Sequence, residues 1–469
     1  MVTRYMGSAL VLALVAACSG NSVDASKVGD PPGGSGTGAG SSGGPSLPPD
    51  TVDPGGTGPS YPGTGFRVHE WGTNTIVVGT DGALQRGLQH EEEDLPGFVY
   101  DRRQTERVAG DSVPVKMETP VTYFYSEKPL TAQATVRFPK GVLTQWYPRV
   151  QSFYPPVLAG RGDPALDRAF QFSSALCREE FTRLEDGVLT WGNVEILARD
   201  AAPSMPEASL ARYTWSHARD VAANAVRVAD ASGAKQDERF LFYRGLGNAP
   251  LAVKITAQPG TPGDDGGLSL KNDDARESIG AVFVLRVTAD KAAFVVRPAG
   301  IAPGATLEES APPATQPLEA YANDLAKAMV AELDRAGLYH DESIAMVKTW
   351  ARQWFRTPGV RVLYLAPRAW TDQQIPLDVT PAPVETVRVM VIRVEAVTRR
   401  EEQIDLAMLA KLGGDPAAKA QAEAHFTGLG RFEEPRLRRA LAQAADAPLA
   451  ATQLLDRIAT ADTRTRAGE

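Results

Sequence analysis

The 469-residue chain carries two cysteines and five histidines. Two thiols cannot build a disulfide scaffold. The histidines, His69, His90, His217, His340 and His425, make neither HxH nor HExxH spacing, so a histidine-rich zinc site is not expected. There is no CxxC pair and no GxxxxGK[ST] phosphate loop. No uninterrupted apolar run reaches the ~18 to 20 residues that a membrane-crossing helix needs. Excess basic charge is also missing: 49 Lys and Arg face 57 Asp and Glu, a net charge of -8. That balance excludes general nucleic-acid affinity. With 43% hydrophobic and 23% charged residues, the chain is of globular type and long enough for two or three domains.

The N-terminus reads as an export signal. Arg4 is the only charge before Cys18, and residues 9–17 are a continuous apolar run. Nine residues are too few to cross a bilayer but suit the centre of a signal peptide. The ending Val15-Ala16-Ala17-Cys18 resembles the bacterial lipobox. The resemblance implies that residues 1–17 are a lipoprotein signal peptide and that Cys18 carries the lipid. An ordinary secretory signal with an incidental cysteine is the alternative. Ser19 follows; in the sorting rule of such lipoproteins, a residue other than Asp there implies the outer membrane. Cys177, in FSSALCREEF, is then left without an intrachain partner and reads as an inert buried thiol.

Residues 28–65 hold 13 Gly and 8 Pro, too little apolar surface to offset the entropy of ordering. Residues 18–65 are therefore expected to be a disordered tether. Short alternating segments follow at residues 66–78, 121–126, 131–138, 142–147, 239–244, 251–257, 282–288 and 292–297. Residues 187–197 read as a pair of short strands. The spacing predicts an antiparallel, sandwich-like β domain over 66–300, with one helix near 164–183. After an Ala/Pro/Gly-rich connection, Leu318, Tyr321, Leu325, Met329 and Leu333 form an amphipathic stripe that Gly337 ends. Asp341 is placed to cap a second helix bearing Ile344, Val347, Trp350 and Trp354. The segment 361–366 is a strand. Residues 387–394 (VRVMVIRV) are apolar on both faces apart from their arginines, as in a central strand. Arg393 and Glu395 share a face and are expected to pair. The predicted class is α+β, with the β-sandwich-like region followed by a mixed α/β region and terminal helices over 317–469. These later strands either form their own sheet or return to the β region; a separate half is the expectation.

Four segments resemble an uncharacterised family of predicted exported bacterial (lipo)proteins: RVHEWGT at 67–73, KMETPVTYFYS at 116–126, FLFYRGLG at 240–247, and a block at 346–395 containing MVKTWARQWF, RVLYLAPRAWTD and RVMVIRVE. Asn74 stands where that family would have an aromatic. The resemblance spans most of residues 66–440. It implies export and a shared fold, and it assigns no catalytic residue.

Candidate sites follow from residue chemistry. His69 and Glu70 invite a metal or general-base reading, but strand alternation sends them to opposite faces. Glu118 precedes Pro120, which implies a strand edge or a bulge; a pair with Lys116 is its structural alternative. Tyr243 and Arg244 precede a Gly-rich turn, where Arg244 either binds an anion or braces the turn. Arg361, Arg368 and Asp372 surround Trp370, with an Arg368–Asp372 ion pair as the local alternative. Trp350 and Trp354 read as core. The acidic runs, HEEED at 90–94 and those around 264–265 and 272–274, lack the spacing of a calcium loop and read as solvated.

The catalytic candidates are thus His69, Glu70, Glu118 and Asp372. The binding candidates are Tyr243, Arg244, Arg361, Arg368 and Trp370, with Cys18 lipidated. No cofactor or metal is implied. The expected protein is a lipid-anchored, extracytoplasmic outer-membrane lipoprotein that binds an envelope protein or polysaccharide, facing either side. The alternative is a carboxylate-dependent envelope hydrolase acting, for example, on glycans. Whether it is an enzyme stays open.

Overall fold

The computed structural model describes residues 23–24, 52–92, 95–101, 113–155, 184–208, 213–229, 232–258 and 266–460. The expected helix near 164–183, Cys18, Cys177 and the acidic pair at 264–265 lie outside them. The class is α+β, with a large sheet-rich N-terminal region and helices at the C-terminal end. Among the described residues no helix is long and apolar enough to cross a membrane.

The longer strands are β1 (Arg67–Val78), β2 (Val115–Tyr125), β3 (Leu130–Phe138), β4 (Gly141–Tyr147), β5 (Gly187–Ile196), β6 (Leu241–Gly247), β7 (Val282–Val287), β8 (Lys291–Arg297), β9 (Gly359–Leu365) and β10 (Glu385–Ala396). A ten-stranded sheet runs β8-β7-β9-β10-β1-β2-β6-β4, extended at its two edges by Gln316–Pro317 and Tyr100–Asp101. All its pairings are antiparallel except β1 with β10, which run parallel over twelve register pairs, Arg67↔Glu385 to Val78↔Ala396. A second sheet pairs β3 with β5 and carries short strands, among them Ser152–Tyr154, Val226–Ala229, Lys235–Glu238 and Leu377–Thr380. The two sheets face each other: Trp191 of β5 lies 6.4 Å from Tyr243 of β6, and Trp146 of β4 lies 5.2 Å from Phe153. Each large apolar side chain sealed between them contributes roughly 1.5–3 kcal/mol. A small third sheet joins Val253–Ala257, Gly267–Asn272 and Thr306–Ser310.

Helices α1 (Leu318–Arg335) and α2 (His340–Arg356) pack on each other and on β8 and β7. Of the predicted stripe of α1, Tyr321, Leu325, Met329 and Leu333 are buried and Leu318 is half-buried, and Trp350 and Trp354 of α2 stack 5.8 Å apart in the core. A short α3 (Arg368–Gln374) lies against β10. The terminal helices α4 (Arg399–Lys411), α5 (Pro416–Thr427), α6 (Glu433–Gln443) and α7 (Leu449–Thr460) enclose a core of their own, with Leu409, Phe426, Leu437 and Leu454 buried. Thr398 and Glu401 cap α4 reciprocally, and the Asp415 carboxylate accepts from Ala418 N to cap α5.

Four expectations change. The later strands do not form a separate sheet: β10 inserts between β9 and β1. A strand apolar on both faces needs neighbours on both edges and cover on both sides, and β1 supplies the missing edge. Residues 187–196 form one strand rather than two; the register slips opposite Ala132–Ala134 instead of breaking the chain. Asp341 does not cap α2. Tyr339 N donates to Glu342 Oε2 there at 2.7 Å, and Asp341 accepts from Ala222 N. Finally, the folded part begins before Phe66. Val52 is buried, Asp53 N donates to Asn323 of α1, and Pro59 O accepts from His340 N. The Tyr61 ring rests 5.4 Å from Tyr125. Gly58 runs so close to Asp334 and His340 that a Cβ there would sit 2.5 Å from the Asp334 carboxylate. Residues 52–65 are thus a strap over the start of α2, because a few apolar and aromatic anchors suffice to hold a chain already stiffened by proline.

Candidate functional site: two ion-pair networks on opposite faces of one sheet

Strand alternation on β1 sends His69 and Glu70 to opposite faces, as expected. His69 Nδ1 meets Glu342 Oε2 of α2 at 2.8 Å, and the Tyr125 hydroxyl donates to the other oxygen of Glu342 at 2.7 Å. The His69 ring lies tilted against Tyr339, their centroids 4.2 Å apart. Each of the other histidines also meets a carboxylate of its own: His90 with Glu434, His217 with Asp220, His340 with Asp334 and His425 with Asp405. Five separate pairs leave no shared centre, and among the described residues no group of three His, Cys, Asp or Glu is placed to hold a metal ion.

Glu70 faces the second sheet. Its Oε1 accepts from the Tyr243 hydroxyl at 2.6 Å and from Thr122 at 3.1 Å, and its Oε2 accepts from Arg388 Nε at 2.7 Å. Arg388 continues to Asp372 Oδ1 at 2.9 Å, and Arg368 holds the other oxygen of Asp372 at 2.7 Å. Four of the sequence candidates, Glu70, Tyr243, Arg368 and Asp372, therefore converge through Arg388, which sequence reasoning missed. Burial and the Glu70 charge push the Tyr243 phenol well above its usual range. Burial would lower the Arg388 pKa, but Glu70, Tyr243 and Asp372 together outweigh it and raise it. The Arg368–Asp372 end is half exposed. Trp370 is pinned nearby, its indole N–H donating to Pro250 O at 3.3 Å.

Glu118 belongs to the other face. Between Trp71 and Thr73 the β1–β2 register slips by one residue at Thr119–Pro120. This is the bulge that Pro120 announced, and it turns Glu118 toward the helices. Glu118 accepts from Arg431 Nη1 at 2.5 Å and from the Thr75 hydroxyl at 2.6 Å. Burial would raise its pKa; the Arg431 and Lys116 charges outweigh that and hold the carboxyl at about 2. Lys116 is not its ion-pair partner, contrary to expectation: it reaches Glu91 at 2.6 Å and also donates to His90 O. Arg244 meets the same Glu91 at 3.1 Å, so it neither lies free for an anion nor merely braces its turn.

The network extends through Glu92, which lies 3.4 Å from Arg431 and 3.1 Å from Arg393. Arg393 pairs with Glu395 at 2.6 Å, as predicted. Arg361 clamps that same carboxylate at 2.5 and 2.8 Å while donating to Trp354 O at the end of α2. Arg361 is thus far in role from Arg368 and Asp372. The Phe432 ring lies 5.0 Å from Arg431 and 5.2 Å from Arg393. The described part of the HEEED run, His90–Glu92, is accordingly no solvated loop but the acidic bridge between strands β2, β6 and β10 and the terminal helical region. Charges this deep stay ionised only when paired. Asp273 and Asp274 are exposed, as expected, but Asn272 of the same run is fully buried, its amide donating to Glu277 O at 2.8 Å. A cavity of about 120 Å³ opens beside Glu395, Glu401 and Arg436.

No family model matches the sequence, and no curated protein matches it. Among solved structures, the yeast delta-COP-I mu-homology domain, complexed with a WxWxV peptide of Dsl1, is similar to this chain at a TM-score of 0.22 and 8% identity, covering 71% of this chain and 97% of that one. A likeness of that size carries no argument about fold or function.

Proposed function

We propose that the protein is a lipid-anchored extracytoplasmic lipoprotein that acts by binding, in envelope structure or assembly. The lipobox-like ending at Cys18, the Gly/Pro-rich stretch after it and the resemblance of the HEWGT and KMETP segments to exported proteins support the location. One observation supports binding over hydrolysis. Glu70 and Glu118 face opposite sides of one sheet, each held by its own arginine. A glycosidase needs two carboxyl groups flanking one bond, one of them able to give up a proton near the working pH. These two flank nothing in common, and the carboxyl of Glu118 is held at about 2. The reading is tested by acyl labelling in cells with fractionation. Wild-type chain is expected to label and sediment with membranes, and Cys18→Ser to lose both properties. Unchanged labelling in that variant overturns the anchor.

A further inference from the structure

The floor beneath the strap of residues 52–65 is polar and incompletely paired. His69 Nε2, the Tyr339 hydroxyl, His340 Nε2 and Asp334 Oδ1 are buried atoms without a hydrogen-bond partner among the described residues. They are neighbours: the Tyr339 ring lies against His69, His340 follows Tyr339 in the chain, and His340 meets Asp334. A buried polar atom without a partner keeps its desolvation cost, so the covered arrangement has free energy to gain on opening. The two histidines are set alike. Each places Nδ1 2.8 Å from a carboxylate oxygen, His69 on Glu342 and His340 on Asp334. Glu342 also accepts from Tyr339 N and from the Tyr125 hydroxyl, so it is the acceptor of the His69 pair. A carboxylate at Nδ1 fixes the ring and leaves Nε2 of the neutral imidazole with a lone pair to offer. Neither charge network uses these two nitrogens.

The cover is thin. Val52 and Pro54 are buried and Tyr61 is half-buried, but residues 55–60 and 62–64 are exposed. The described hydrogen bonds from the strap to the helices are Asp53 N to Asn323 Oδ1 at 3.2 Å and His340 N to Pro59 O at 2.8 Å. Gly56 passes over His340 so closely that a Cβ there would stand 3.5 Å from its ring. Tyr61 closes the other end. Its ring lies 5.4 Å from Tyr125 and 6.4 Å from Tyr339, the two rings that flank His69 at 5.3 and 4.2 Å. Gly63 and Gly65 then bend the chain into β1, both in the left-handed region at φ 82° and 77°. A segment with few buried apolar contacts and a mostly exposed backbone opens locally at a small fraction of the cost of global unfolding.

We infer that residues 52–65 are a displaceable lid, hinged at Gly63 and Gly65, over a site built from His69, Tyr339, His340 and Asp334. Closed, the lid withholds the two imidazoles; open, it presents their Nε2 atoms, each backed by a carboxylate, to an incoming hydrogen-bond donor. The inference goes beyond the reading as an anchored binder and does not depend on the anchor. The test is the rate at which diethyl pyrocarbonate modifies each histidine of the full-length protein in detergent at neutral pH, followed by mass spectrometry. His90 is the internal standard: it is 2% exposed against 1% for His69, pairs likewise with a glutamate, and likewise has one ring nitrogen without a partner, but it sits against Glu434 of α6. Tyr61→Ala and Val52→Asp unlatch the two ends of the lid and are expected to speed modification of His69 and His340 about tenfold while His90 keeps its wild-type rate. Tyr61→Phe is expected to keep the wild-type rates, because the Tyr61 hydroxyl donates only within the strap, to Gly65 O. Unchanged rates at His69 in the two unlatching variants overturn the lid. Equal acceleration at His90 overturns it too, since that marks general loosening of the fold. None of these outcomes alters acyl labelling at Cys18, so a failed lid and a failed anchor are told apart.

Discussion

Glu70 and Arg388 occupy the same rung of the parallel β1–β10 ladder, 318 residues apart in sequence, and their side chains join at 2.7 Å in the interior. The pair fixes register as well as charge. A slip of one residue between the strands puts the two side chains on opposite faces, where they cannot meet.

The first prediction concerns that rung. Arg388→Met leaves the Glu70 carboxylate buried without its cation, a loss of about 3–5 kcal/mol. Glu70→Gln with Arg388→Met removes both charges and is expected to recover part of it. Urea unfolding of the two singles and the double gives the coupling energy directly. Strict additivity of the singles would show that the two side chains do not interact.

A second prediction follows from Glu118. Its pKa falls from 4.5 in a free side chain to about 2 in the fold. The carboxylate therefore contributes stability that is fully present above pH 4.5 and is lost as pH falls toward 2, by linkage about 3 kcal/mol in all. Glu118→Gln should be destabilised at pH 7, because buried Arg431 loses its nearest carboxylate and keeps only Glu92 at 3.4 Å, and its stability should fall less steeply than wild type between pH 4.5 and 2. Denaturant midpoints at four pH values in that window measure the slope. Parallel slopes for the two proteins contradict the assignment.

The third prediction concerns the strap. Limited proteolysis is expected to leave a stable fragment that begins before Val52, since Val52, Asp53, Pro59 and Tyr61 are anchored on α1, α2 and β2. The Gly/Pro-rich sequence that favours cleavage continues upstream of Val52. Tyr61→Ala should move the fragment start toward Phe66. N-terminal sequencing reads both, and a wild-type fragment starting at Phe66 would show that the strap does not hold.

Much of this architecture was legible because it is local. The two-residue period placed His69 and Glu70 on opposite faces, Pro120 marked the bulge, and the doubly apolar run at 387–394 marked a central strand. The partners were not legible, because they lie elsewhere in the chain. Nothing near Glu118 names Arg431, 313 residues away. Nothing near Arg393 names Glu92, 301 residues away. A signal was nevertheless present. Arginines within an apolar strand must be buried, buried guanidiniums need carboxylates, and the densest supply of carboxylates in the sequence is HEEED. Reading that run as solvated treated composition as exposure. The separate C-terminal half failed for a related reason: an apolar strand declares that it is central but not which strand lies beside it.

The parallel seam between β1 and β10 has a temporal consequence. A chain that emerges N-terminus first presents β1 hundreds of residues before β10, and one long edge of β1 stays bare until residue 396 is free. Closing that seam is a long-range step, slow by topology, with an open strand edge exposed while it waits. The β-rich region therefore depends on a late-arriving strand to finish its sheet, and a chain cut short before residue 385 is the species most exposed to pairing with a copy of itself.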